Sequence, residues 1–180
     1  MDRKKLRWLT QTALLIALLI AAQWTTRPLG QFVTGSAVNL ILIVSVSIIG
    51  LPCGITVAAV SNILAFLAGI GPIFPQLVPF VAAGNVMYVF VFWLVSGRRR
   101  TVPPVWRRFA AVVAGALVKF AVLWFGIVKF AAGLIPDIKP AQIEKLSVMF
   151  SWPQIVTATI GGSLAAVALP AIFKAVKNKK

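Results

Sequence analysis

Histidine is absent from these 180 residues, cysteine occurs once, and aspartate and glutamate together number 3. Each shortage excludes a chemistry. Without histidine, neither a Ser–His or Cys–His nucleophilic pair nor a Cys/His zinc centre can be built. With Cys53 alone, no disulfide can close within the chain. The carboxylates fall outside the apolar runs, so the acidic group of a usual proton or sodium relay is missing. No GxxxxGK[ST] loop occurs, and ATP binding and hydrolysis through that device are excluded. An enzyme is not expected, and no cofactor or metal is expected either.

What is abundant is apolar. The chain is 60% hydrophobic and only 12% charged, with a mean hydropathy of +0.96. Soluble domains are about a quarter charged, so this composition is that of a membrane protein. No long polar segment interrupts it, which predicts a single membrane domain over residues 1–180. The formal charge is +15, from 18 basic residues. Such an excess can signal nucleic-acid binding. Here the lysines and arginines flank apolar runs, where they set topology in a bilayer, and no nucleic-acid partner is expected. The start, Met1 to Arg7 followed by an apolar run, has the outline of a secretory signal. The run is long enough to span and further spans follow, so it is read as a retained first helix.

A span needs ~20 residues, within a range of about 17–25. The apolar runs place spans at 8–24, 36–49, 55–68, 80–95, 109–134 and 152–176. Two of them are short, and one re-entrant hairpin is the alternative for that pair. Residues 25–35, with Pro28, Gly30 and Gly35, are expected as a loop. So are residues 69–79, rich in proline and glycine, and residues 135–151, which carry Asp137, Lys139, Glu144 and Lys145. Pro52 and Gly54 predict a tight turn over 50–54. A basic linker contains Arg98, Arg99, Arg100, Arg107 and Arg108. The tail carries Lys174, Lys177, Lys179 and Lys180 beyond Pro170. Six spans put the N-terminus, the linker and the C-terminus on one side. All are rich in Lys or Arg, which predicts an all-α bundle of six transmembrane helices with both termini cytoplasmic.

Polar residues inside such spans are the candidate site. Lys119 lies ten residues past Phe109, or ~15 Å along a helix, near the midplane. A charge there costs roughly 3 kcal/mol on insertion scales and tends to be functional. With no carboxylate in a span, its ammonium must meet carbonyls, hydroxyls, water, amides or an anionic group from outside. Lys129 is nearer the end of its span and can snorkel to the headgroups. Asn39 and Asn85 are expected at similar shallow depth, with Gln76 and Gln154 near them. Together they can ring a cavity, since each amide both donates and accepts. The alternative is interhelical glue, worth about 0.6 kcal/mol per bond, and that is the expectation for the deeper Asn62. Tyr88 and Trp152 flank polar residues and are the aromatics expected to stack on a flat ligand.

The first span carries Ala13, Ala17 and Ala21 four apart. Positions i and i+4 share a helix face, so these form a smooth strip that lets another helix approach closely. A partner-docking face is expected there. No inverted repeat is visible, and six spans are few for a self-sufficient transporter.

In these features the chain resembles the substrate-binding S components of energy-coupling factor (ECF) transporters, the bacterial vitamin importers. The resemblance rests on the size, the six expected helices with both ends inside and the AxxxA pattern Ala13-Leu14-Leu15-Ile16-Ala17, extended to Ala21. It rests also on Val33-Thr34-Gly35-Ser36-Ala37-Val38-Asn39 and on the stretch from Gly69-Ile70-Gly71-Pro72 to Gly84-Asn85. It implies a multi-pass protein of the bacterial plasma membrane that captures a vitamin or related micronutrient from outside. It implies docking through Ala13, Ala17 and Ala21 on a membrane T component driven by two cytosolic ATPases, which alone bind ATP. The loops 25–35, 69–79 and 135–151 would be the gates. Two other classes fit the same composition: a stand-alone facilitator or channel, and a scaffold subunit of another membrane complex.

Overall fold

The structure is a computed structural model that describes residues 2–97, 102–130, 133, 135, 136 and 138–177. Arg98, Arg99, Arg100, Leu134, Asp137, Lys179 and Lys180 lie outside the described residues, as does the side chain of Lys177. They carry parts of the expected linker, fifth span, loop and tail.

Helices account for nearly all of the described chain. They are α1 (Arg3–Thr26), α2 (Gln31–Ile48), α3 (Leu51–Leu67), α4 (Val78–Ser96), α5 (Val105–Leu123), α6 (Pro140–Met149) and α7 (Trp152–Lys177). A π-helical segment, Trp124–Phe130, continues α5. Among the described residues, five stretches are long and apolar enough to cross a membrane: Arg3–Leu29, Gln31–Ile48, Pro75–Ser96, Val105–Phe130 and Pro140–Val176. Leu51–Leu67 is a shorter apolar helix. An all-α, multi-pass membrane architecture follows.

Local chemistry sets these boundaries. Asp2 caps α1, its carboxylate accepting from the Lys4 amide at 3.2 Å. Along α1 the hydroxyls of Thr10, Thr12, Thr25 and Thr26 donate back to carbonyls of their own helix. Each hydroxyl is thereby satisfied within its own helix. The expected loop over 25–35 is in fact residues 27–30, with Pro28 in a 3-10 turn and Gly30 at φ 85°. Gly35 does not break the helix, because it is a contact glycine. A Cβ there would lie 2.9 Å from Thr157 Cγ2 on α7. The expected turn over 50–54 likewise shrinks. Gly50, at φ 115°, makes the reversal, and Pro52 sits in the first turn of α3 where proline is tolerated. Gly54 is already helical and makes room for Val46 and Val89.

The segment 135–151, expected as a polar loop, contains α6. Pro140 lies in its first turn, and the Gln142 side chain accepts from the Lys139 amide at 2.9 Å. Leu146 and Phe150, four apart, are buried on one face.

The apolar interior is split in two. The main core joins α1, α2, α3, α4, α5 and α7 through residues such as Leu19, Ile43, Val57, Phe92, Val112 and Ala165. A smaller cluster, Leu77, Leu123, Ile127, Ile135, Leu146 and Phe150, lies beneath α6 and the segment before α4. The bundle therefore has an α6 end and, opposite it, a basic end where α1 and α5 begin and α7 finishes.

Candidate functional site

Between the two apolar clusters lies a layer of buried polar side chains contributed by α2, α3, α4 and α5. Lys119 of α5 is 3% exposed, and its ammonium donates to Asn39 Oδ1 at 2.7 Å. Asn39, on α2, is held in that orientation because its amide nitrogen donates to the Gly35 carbonyl one turn away at 2.7 Å. The Lys119 ammonium also lies 5.6 Å from the centre of the Tyr88 ring, within cation–π range. Tyr88 is fully buried, and its hydroxyl donates to the Ala158 carbonyl of α7 at 2.7 Å. Glycines give the ring its space: Gly115 of α5 lies against its edge and Gly162 of α7 beneath its hydroxyl.

One turn nearer the α6 end, Asn85 of α4 donates to Asn62 Oδ1 at 3.3 Å, and Asn62 donates back to the Ala58 carbonyl of its own helix. Asn85 Oδ1 is buried and has no partner among the described residues. Asn62 was expected deeper and nearer the basic end. It lies level with Asn85 because α3 starts at Leu51, not at residue 55.

The other expected site residues sit elsewhere. Gln76 is exposed in the 3-10 turn Pro75–Leu77. Lys129 is exposed on the π-helical segment, 5.8 Å above the Trp124 ring. Trp152 is 57% exposed at the start of α7 and packs on Phe32 with ring centres 5.7 Å apart. Gln154 is half-buried and donates to the Met149 carbonyl at 3.1 Å. Gln31 donates to the same carbonyl at 2.7 Å, so two glutamines satisfy the C-terminus of α6. Lys119, Asn39 and Tyr88 thus meet in one cluster and Asn85 lies beside it. Gln154 and Trp152 frame the seat of α6, while Gln76 and Lys129 are on the surface. A recess of about 90 Å³ separates α6 from residues 71–77, lined by Pro72, Phe74, Leu77, Gln142, Leu146 and Phe150 among others.

The alanine strip lies on the outside. Ala13, Ala17 and Ala21 are exposed and, with Ile16, Ile20, Trp24, Leu64 and Ala68, line an open, almost wholly apolar groove of about 850 Å³ between α1 and α3.

Sequence reasoning missed one pairing at the basic end. Pro170 has no amide hydrogen, so the Ala166 carbonyl, four residues earlier, loses its helical donor. Arg108 of α5, 7% exposed, donates through Nη1 to that carbonyl. The signal was available as a proline inside a long helix, together with an arginine just inside another. A double-mutant cycle tests the pairing. Arg108→Gln is expected to cost about 1–3 kcal/mol in the native background, where it strands a buried carbonyl. It is expected to cost less beside Pro170→Ala, which restores the backbone donor. Melting in detergent should show a coupling of about 1 kcal/mol, and additivity within about 0.3 kcal/mol would contradict the pairing.

A polar layer inside a multi-pass helical bundle, with an apolar groove on its flank, defines the class that the geometry supports. No protein-family model matches the chain, and neither a curated protein nor a solved structure matches it.

Proposed function

We propose that this chain is the substrate-binding S component of an ECF-type importer in a bacterial plasma membrane. It crosses the bilayer six times with both termini cytoplasmic. It takes a vitamin or related micronutrient at the α6 end, which faces outward, and delivers it through a membrane T component driven by two separate ATPases. The observation that carries this reading is the position of the alanine strip. Ala13, Ala17 and Ala21 are turned away from the bundle, and the α1 stretch is only 11% buried. A helix that served only to complete the bundle would place its small residues inward, where close approach is needed. Here they line an open apolar groove on the outside of the bundle.

The basic end supports the orientation. Arg3, Lys4, Lys5, Arg7, Arg107 and Lys174 gather there, as the positive-inside rule requires of a cytoplasmic face. The polar layer supports solute binding, because side chains that served only as glue between helices would pair with one another, whereas Asn85 Oδ1 and Ser36 Oγ have no partner among the described residues. The small cluster beneath α6 supports gating at the opposite end, since α6 rests on few buried residues and can move without opening the main core.

Purification of the tagged chain from its native membranes in mild detergent tests the reading. The expected result is a stoichiometric complex with one further integral membrane protein and two ATPase subunits, active in ATP hydrolysis. A chain that purifies alone, and that by itself passes solute across liposomes, would favour a facilitator instead.

A further inference from the structure

Lys119 is a cation deep in the bundle with no carboxylate against it among the described residues. Asp2 begins α1 and Glu144 is exposed on α6, while Asp137 lies outside the described residues. Taking an ammonium out of water costs several kcal/mol unless a countercharge and hydrogen bonds repay it. Packing does not ask for that cost, because a methionine or glutamine fills the same volume. An ammonium has three N–H donors, and Asn39 occupies one. Among the described residues the other two have no hydrogen-bond acceptor, and only the Tyr88 ring, 5.6 Å away at its centre, faces the ammonium besides.

The surroundings carry spare capacity as well. Asn85 Oδ1 and Ser36 Oγ are buried and unpartnered among the described residues. Buried polar atoms are normally paired, so unpaired ones one turn from Tyr88 and from Asn39, the two side chains that meet Lys119, need an explanation. The route to them is also distinct. Leu123, one turn beyond Lys119 on the same face of α5, packs against Gly84 beside Asn85. Leu123 belongs to the small cluster beneath α6, not to the main core. On α5, the residue one turn from Lys119 toward the α6 end therefore belongs to the minor cluster.

We propose that Lys119 is the anion-recognising group of a solute site in this layer, entered from the α6 end, and that the solute carries a carboxylate. The inference rests on the solute-binding reading above and names its chemical class. One ammonium matches one carboxylate, whereas a doubly charged phosphate would leave net negative charge in the same low-dielectric surroundings. The carboxylate accepts from the two remaining N–H groups of Lys119, and Asn39 keeps the ammonium in place. Asn85 Oδ1 and Ser36 Oγ are left to bond the uncharged part of the solute.

Native mass spectrometry of the protein purified in mild detergent, followed by identification of the small molecules released from it, tests the inference. The wild-type protein is expected to retain one carboxylic acid per chain. Lys119→Gln is expected to lose it by at least tenfold, and Lys119→Arg, which keeps the charge, to lose less. Melting of each variant separates loss of the acid from loss of the fold. Leu164→Ala, on the exposed side of α7, is expected to retain the acid. A neutral or cationic molecule in the wild-type protein overturns the carboxylate inference and leaves the solute-binding reading standing. A phosphate ester overturns it in the same way, as does a phospholipid held equally by wild type and Lys119→Gln. A wild-type protein that retains no small molecule overturns both.

Discussion

Ala17→Trp is expected to weaken association with the membrane partner by at least tenfold, about 1.4 kcal/mol or more, and to stop solute uptake. The indole would fill the middle of the groove formed by Ala13, Ile16, Ala17, Ile20 and Ala21. In lipid, helices associate through close packing and not through a hydrophobic drive, so a bulky group on the contact strip removes most of what holds them. The same substitution leaves the isolated chain intact. Ala17 is exposed and the groove is open, so the indole can lie over Leu64 and Ala68 without displacing a buried side chain, and the melting temperature and the retained solute should not change. Leu14→Trp is the control. Leu14 is 68% exposed on the same helix and does not line the groove, so its replacement should leave association within a factor of about two. Co-purification of the partner with each variant, at matched expression, measures both effects.

Gly161→Ala is expected to have the largest effect on stability. A Cβ at Gly161 of α7 would collide with the Ser36 carbonyl of α2 and stand 2.9 Å from both Asn39 Cβ and the Leu40 nitrogen. Two of those three atoms are backbone, which cannot rotate away. The only relief is to separate α2 from α7, and that draws Asn39 away from Lys119. Overpacking typically costs about 1–3 kcal/mol, and this contact belongs at or above the top of that range because helix backbones must move. The expected result is a melting temperature lowered by several degrees, together with loss of the retained solute. Leu164→Ala, on the exposed side of the same helix, should shift melting far less. Equal shifts for the two variants would contradict the close α2–α7 crossing.

Much of this fold is legible in the sequence because a bilayer imposes a length and a composition on each span. The six apolar runs correspond to α1, α2, α3, α4, α5 and α7, and most ends moved by only a few residues. The misplacements share a cause. Gly35 and Gly54 read as breakers, yet both lie inside helices and mark points where another helix comes close. In soluble chains glycine usually signals a turn, whereas in membrane bundles it often signals contact. Proline has a similar ambiguity, since Pro52 and Pro140 lie in first turns and Pro170 in a helix interior whose freed carbonyl Arg108 answers. α6 was hidden because its apolar face is only Leu146, Phe150 and their neighbours, set among charged residues.

The candidate site was legible residue by residue but not as a cluster. Lys119, Asn39, Asn85 and Tyr88 stand out as polar groups in apolar runs. That Lys119 reaches across the bundle to Asn39, 80 residues earlier, depends on the pairing of α4 and of α7 with both α2 and α5. Nothing in span length or charge distribution fixes that pairing. The same applies to Gln31 and Gln154, which converge on the Met149 carbonyl only because α6 folds back over the bundle.

The measurement that most directly tests the account is photo-crosslinking in native membranes from two positions that both face away from the bundle. One is position 17 on the alanine strip of α1. The other is position 117 on α5, where Leu117 is 51% exposed and lies outside the groove. Docking through the alanine strip predicts a crosslink from position 17 to a second integral membrane protein, and from position 117 to lipid alone. Crosslinks from position 17 only to lipid, or to the chain's own helices, would contradict it.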